Sequence, residues 1–264
     1  MYYQITKSKL ILYGVILGLI LLATGIKIKD KYFSTEMTKE ELLGEKIDNN
    51  VLIFSDGALS TSNDLDESVN IKIYLKSNNY TCDLIVKEDG ILDNQSGSNL
   101  LYHEKTKESL SKYEHIIVQC GLFDYITGNQ LGQISDETYT MLGSMNDFIT
   151  KLKNQELEPN IIIIGPPNCL EFNGISNSIG QYIIDYNLAL KMFAKNFDNV
   201  HYIDLYEYTK DNPLVLDETE EYTFDEKIME YIVEQINKID SEYTNQKEEV
   251  NKDNQIIILP EDEK

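Results

Sequence analysis

Apolar positions along this chain follow two alternating periods. Short runs that are apolar almost throughout, at 51–55, 82–86, 115–120, 160–165 and 200–205, alternate with stretches whose apolar residues recur every three or four positions, near 65–77, 104–113, 136–154, 178–196 and 224–239. The third of these stretches shows the longer period plainly: Met141, Leu142, Met145, Phe148, Ile149 and Leu152 fall on one stripe of a helix. The short runs are nearly continuous Val, Ile and Leu, the pattern of strands covered on both faces. Five strands alternating with helices predict a doubly wound, five-stranded parallel sheet in a three-layer α/β sandwich of the flavodoxin-like kind.

Two segments fall outside this pattern. Residues 10–26, LILYGVILGLILLATGI, carry no charge and are bracketed by Lys7 and Lys9 on one side and by Lys27, Lys29 and Lys31 on the other. As a helix they would reach about 25 Å, close to the thickness of a bilayer core. The expectation is a single-pass membrane anchor, longer than the core of a cleaved leader. Cleavage near Ala23, Thr24 and Gly25, giving a secreted protein, is the alternative. The chain then divides into a tail (1–9), the anchor (10–26), a polar stalk (27–49), the α/β domain (50–240) and an acidic, flexible tail (241–264). A short amino-terminal tail before the anchor predicts a domain outside the cytoplasm. The last segment holds one apolar island, Ile256, Ile257, Ile258 and Leu259, read as an added edge strand or a partner-binding segment.

Charge narrows the range of partners. With 45 Asp and Glu against 23 Lys and Arg, the net charge is -22, and such a surface repels a phosphate backbone. Nucleic acid is excluded as a partner. The three cysteines, Cys82, Cys120 and Cys169, show no zinc spacing and read as buried small side chains. No cofactor is expected.

Sites in such sheets lie beyond the carboxyl ends of the strands. There the chain has Ser55-Asp56-Gly57-Ala58, Asp89-Gly90 or the later Gly97, Gly121-Leu122-Phe123-Asp124 and Gly165-Pro166-Pro167-Asn168. By order, spacing and strand context these blocks resemble those of the SGNH, or GDSL-type, hydrolases over roughly residues 50–240. The resemblance implies a nucleophilic serine at the position held here by Gly57, its backbone amide forming part of the oxyanion hole. It implies an asparagine donor where Phe123 stands. It also implies an Asp-x-x-His pair in the stretch DETEEYTFDEKIMEYI, where Glu220 and Thr223 occupy those places and a shift of one residue brings in Tyr222. No histidine follows His201, so no register restores the general base.

The remaining candidates for chemistry are few. His115 and His201 open their strands, at the wrong end of the sheet. His103 follows a strand end, and Ser55 and Ser60 flank the vacant nucleophile position. Ser55 is expected to point along the sheet, and Ser60 and Ser62 to cap a helix. Cys120 and Cys169 lie near the same edge without a base to activate them. Asp56, Gly121 and Asp124 keep the family's residue types, the aspartates as acceptors for turn amides and Gly121, like Gly57, as a glycine suited to a tight turn. As a pair of metal ligands, Asp56 and Asp124 lack a third partner. The expected cleft is lined by Ser55, Asp56, Gly57, Gly90, Gly121, Phe123, Asp124 and Asn168.

These observations predict a membrane-anchored, extracytoplasmic domain that has lost hydrolase chemistry and works by binding a cell-envelope glycan or protein. An esterase or acyltransferase with a relocated nucleophile, Ser55, Ser60 or a cysteine with His103, is the enzymatic alternative, and an envelope assembly scaffold the structural one. With 18 Tyr and no Trp, any sugar-stacking platform would be tyrosine.

Overall fold

The computed structural model describes residues 49–59, 71–87, 89–101, 110–135, 138–215 and 224–255, with the side chains of the last helix described through Tyr243. The anchor segment 10–26, the stalk, Ser60, Ser62, His103, Glu220, Tyr222, Thr223 and the 256–259 island lie outside the described residues. Among the described residues no helix is long and apolar enough to cross a membrane.

All five strands form where the apolar runs place them: β1 (Asn50–Ser55), β2 (Thr81–Val86), β3 (His115–Gln119), β4 (Asn160–Ile164) and β5 (Val200–Ile203). Every pairing is parallel, in the order β2-β1-β3-β4-β5. Side chains alternate across a strand, so β1 sends Leu52 and Phe54 into one core and Val51 and Ile53 into the other. Helices α3 (Met141–Asn154) and α4 (Ile183–Ala194) cover the first face, and α1 (Ile71–Ser77) and α6 (Glu226–Gln255) the second.

Several boundaries move, each for a local reason. The helix expected over 136–154 starts at Met141, because the Thr140 side chain accepts the Gly143 amide and caps it. The helix expected over 178–196 starts at Ile183; residues 177–181 are held in a turn by Gly180 N donating to Asn177 O and Asn177 N to Gln181 O. Asp204, counted with the last strand, instead caps α5 (Leu205–Tyr208) by accepting the Glu207 amide. A further short helix, α2 (Leu122–Thr127), follows β3 directly. The last helix continues through Gln255, well past the expected end at 239.

Candidate functional site

The sheet order reverses direction between β1 and β3, and it is at the carboxyl ends of such strands that α/β sheets place their sites. Two turns lie there, the one after Ser55 and the one after Gln119. Ser55 is fully buried and points toward the neighbouring strand, as its place before the turn predicts. Its hydroxyl donates to Gln119 Oε1 at 2.8 Å and accepts from the amides of Gly57 at 3.2 Å and Leu59 at 3.3 Å. Gln119 Oε1 also accepts the Asp56 amide at 3.2 Å. Gly57 stands at φ 120°, in a region open to glycine and strained for any other residue. The backbone amide at the nucleophile position is thus engaged by Ser55.

Asp56 and Asp124 lie beneath these turns, both fully buried. Asp56 Oδ1 accepts the Ala58 amide at 3.4 Å, and its Oδ2 has no hydrogen-bond partner among the described residues. Burial pushes the Asp56 carboxyl up to about 8, and the nearby charge of Asp124 adds to the shift. Asp124 is better satisfied. It accepts from the amides of Leu92 at 2.8 Å and Gly121 at 3.2 Å and from Asn129 Nδ2 at 2.7 Å. Burial still raises it to about 6, with those bonds pulling the other way.

Gly121 takes φ 98°, and a β-carbon there would come within 3.0 Å of Pro166 Cδ and 3.2 Å of Leu190 Cδ1. Phe123 is half-buried where the resemblance implies an asparagine, and a phenyl ring offers no hydrogen-bond donor to an oxyanion. The Gly90 amide donates to Lys87 O at 2.9 Å, so it too is committed within its own turn. After β4, the Asn168 amide donates to Thr209 Oγ1 at 2.8 Å and Asn168 O accepts the Leu214 amide at 2.9 Å, fastening this loop to 209–214.

Ser55, Asp56, Gly90, Gly121, Asp124 and Asn168 are buried as supports of the turns, and of the eight expected residues only Gly57 and Phe123 are part-exposed. Phe224 is buried, and its amide donates to Ala58 O at 3.0 Å.

None of the described alternatives supplies a nucleophile and base. His115 opens β3 and is buried at the amino end of the sheet, with Nε2 3.0 Å from Asp240 Oδ1. His201, at the same end, is held below its ordinary value by burial. Cys120 is fully buried and its thiol is pushed well up; burial pushes Cys169 up to about 12. All three cysteines are free. Among the described residues no group of three or more His, Cys, Asp or Glu could hold a metal ion.

Gln119 is the site residue that sequence reasoning missed. Its one signal was a polar side chain inside the otherwise apolar run HIIVQC.

No family model matches the chain, and no curated protein matches it in sequence. Among solved structures it is similar to a structural-genomics protein from Lactobacillus plantarum, at 17% identity and a TM-score of 0.50 over 60% of this chain and 77% of that one. It also matches a protein described as a GDSL-like lipase from Bacteroides ovatus, at 13% identity and a TM-score of 0.46 over 74% of this chain and 98% of that one. A possible lipase from Chitinophaga pinensis matches at 15% identity and a TM-score of 0.43, over 60% and 67% of the two chains. Taken with the sheet order, the first likeness supports a conclusion about fold alone: the chain carries a five-stranded parallel α/β fold like that of the Lactobacillus plantarum protein.

Proposed function

We propose that this chain is a non-hydrolytic SGNH-like domain, tethered to a membrane by residues 10–26 and working outside the cytoplasm by binding a cell-envelope glycan or protein. The observation that carries the reading is Gly57. It has no side chain to attack a carbonyl, and its amide is bound to Ser55 Oγ at 3.2 Å. An oxyanion hole works through donors aimed at the developing charge, and losing one such donor costs about 2.7–4 kcal/mol. Here the Gly57 and Gly90 amides are engaged internally, and Phe123 has no donor to offer.

A glycan ligand is supported by one exposed aromatic face. Tyr208, on α5 just beyond the carboxyl end of β5, is exposed and stacks on Tyr231 with centroids 3.8 Å apart and planes 8° apart. Such a pair offers a rigid apolar plate of the kind sugars stack against.

The test is hydrolysis of a small aryl acetate by the full chain in mild detergent, beside Ser55→Ala, Ser60→Ala and His103→Ala. No turnover above buffer is expected from any of them. Turnover that survives purification and vanishes in one variant overturns the non-hydrolytic reading and installs the relocated nucleophile. For binding, co-sedimentation with insoluble cell-envelope polysaccharide should fall severalfold in Tyr208→Ala.

A further inference from the structure

Helix α4 is apolar on two sides. Ile183, Tyr186, Leu190 and Phe193 face the core, while Ile184, Leu188 and Met192 recur every four residues on the opposite, exposed side. A surface helix ordinarily turns polar residues away from the core, so an exposed apolar ridge opposite the core face is unusual, and nothing among the described residues covers this one. The stripe continues into the turn before the helix, where Ile175, Ile179 and Tyr182 are also exposed. These six side chains are between 39% and 67% exposed. At about 200 Å² for a large side chain they present roughly 600 Å² of apolar surface. That lies at the top of what a monomer usually shows in one patch.

We propose that this face is the contact through which two copies of the chain pair. Its polar rim of Asn173, Ser176 and Ser178 brings it close to the roughly 800 Å² per partner of a standard stable interface. Charge selects the occupant. The chain carries a net charge of -22, yet residues 172 through 184 hold no charged residue and the rest of the helix carries one acid, Asp185, and one base, Lys191, so two copies that repel elsewhere can meet here. An anionic lipid surface would repel so acidic a body, and the nearby Lys191 is bonded to Asp204 at 2.7 Å instead of being held out toward headgroups. The shape suits self-pairing as well. Ile184, Leu188 and Met192 form an i±4 ridge, and two such ridges interdigitate at a crossing of about -50°, the commonest helix packing. The same patch on both partners makes a twofold, isologous contact.

The inference is independent of whether the domain hydrolyses anything. Its test is the mass of the full chain in mild detergent, by sedimentation at micromolar concentration, for the native protein, Leu188→Arg and, on the opposite side of the sheet, Ile73→Arg. The native chain and Ile73→Arg should sediment as dimers, and Leu188→Arg should associate at least tenfold more weakly with an unchanged circular dichroism spectrum. Because the 10–26 segment could itself associate, Leu188→Cys and Ile73→Cys are each treated with a short bismaleimide. A covalent dimer from Leu188→Cys alone supports the proposal. It is overturned by a native chain that is monomeric at every concentration, or by a dimer that Leu188→Arg leaves intact. Liposome flotation of a monomeric chain that is lost in Leu188→Arg would also overturn it, making lipid the occupant.

Discussion

The amide of Gly57 donates to the hydroxyl of Ser55 at 3.2 Å, and that one bond closes the turn on which a nucleophile would have to stand. Restoring a serine at this point should therefore not restore chemistry. Gly57→Ser places a side chain at φ 120°, at a cost of about 1–3 kcal/mol, and supplies neither a base nor a free amide. The expected outcome is a lower melting temperature and no aryl acetate hydrolysis. Ser55→Ala leaves the Gly57 and Leu59 amides without their acceptor and should cost about 1–3 kcal/mol in denaturant unfolding.

Asp124 survives at its strand end for a reason of folding. Its carboxylate gathers the amides of Leu92 and Gly121 and the side chain of Asn129, joining the loop after β2 to the start of α2. Asp124→Ala strands two buried amides and removes one of the two acceptors of the half-buried Asn129 side chain, and should cost about 3 kcal/mol or more. Asp147→Ala is the contrast. That carboxylate bonds Asn94 Nδ2 at 2.7 Å and pairs with the exposed Lys151 at 2.6 Å, and its loss should cost about 1 kcal/mol. Equilibrium unfolding of the two variants side by side checks the ranking.

The strands were legible because each is a run of Val, Ile and Leu too short and too apolar for anything but a covered strand, and Ile161 through Ile164 is the plainest case. Helix ends were less legible, since Thr140 and Asp204 act as caps through bonds to particular amides that periodicity does not register. At the site, the residue types at the expected positions, Gly57, Phe123 and Thr223, could be read directly. The burial of Ser55, Asp56 and Asn168 could not, because a polar residue at a strand end is ambiguous until its partners are known. Here those partners are Gln119 and Thr209, both distant in sequence.

Stability should fall as pH rises through neutrality. A carboxyl raised in the folded state keeps a proton that the unfolded chain has already released, so the folded state binds more protons between the two values. For Asp56 that window runs from the ordinary 3.8 to about 8, and for Asp124 from 3.8 to about 6. The contribution of Asp56 is full below pH 4 and is lost progressively toward pH 8, above which it no longer changes. Asp56→Asn, which keeps an acceptor for the Ala58 amide, should flatten the decline between pH 6 and 8. The check is the urea midpoint of both proteins across that range; equal slopes would show that Asp56 does not hold the proton.

The final helix should be divisible at Tyr243. Up to that point it belongs to the core: Ile228, Met229, Ile232, Val233 and Ile236 are buried against the sheet. Asp240 then accepts the Tyr80 hydroxyl at 3.1 Å and lies 3.0 Å from His115 Nε2, and the Tyr243 ring stands 6.4 Å from the His115 ring. Beyond it the helix continues through the polar sequence TNQKEEVNKDNQ, which carries Gln255 about 18 Å past Tyr243 along the axis. So polar a stretch adds little burial, and a segment of this length is marginal as a helix on its own. Ending the chain after Tyr243 should leave the melting temperature within about 2 °C of the full chain. Ending it after Ile239 removes the acceptor of Tyr80 and the partner of His115 and should cost about 1–3 kcal/mol, a loss that Asp240→Ala alone should largely reproduce. A large drop on ending the chain after Tyr243 would mean that residues after 243 pack against the domain.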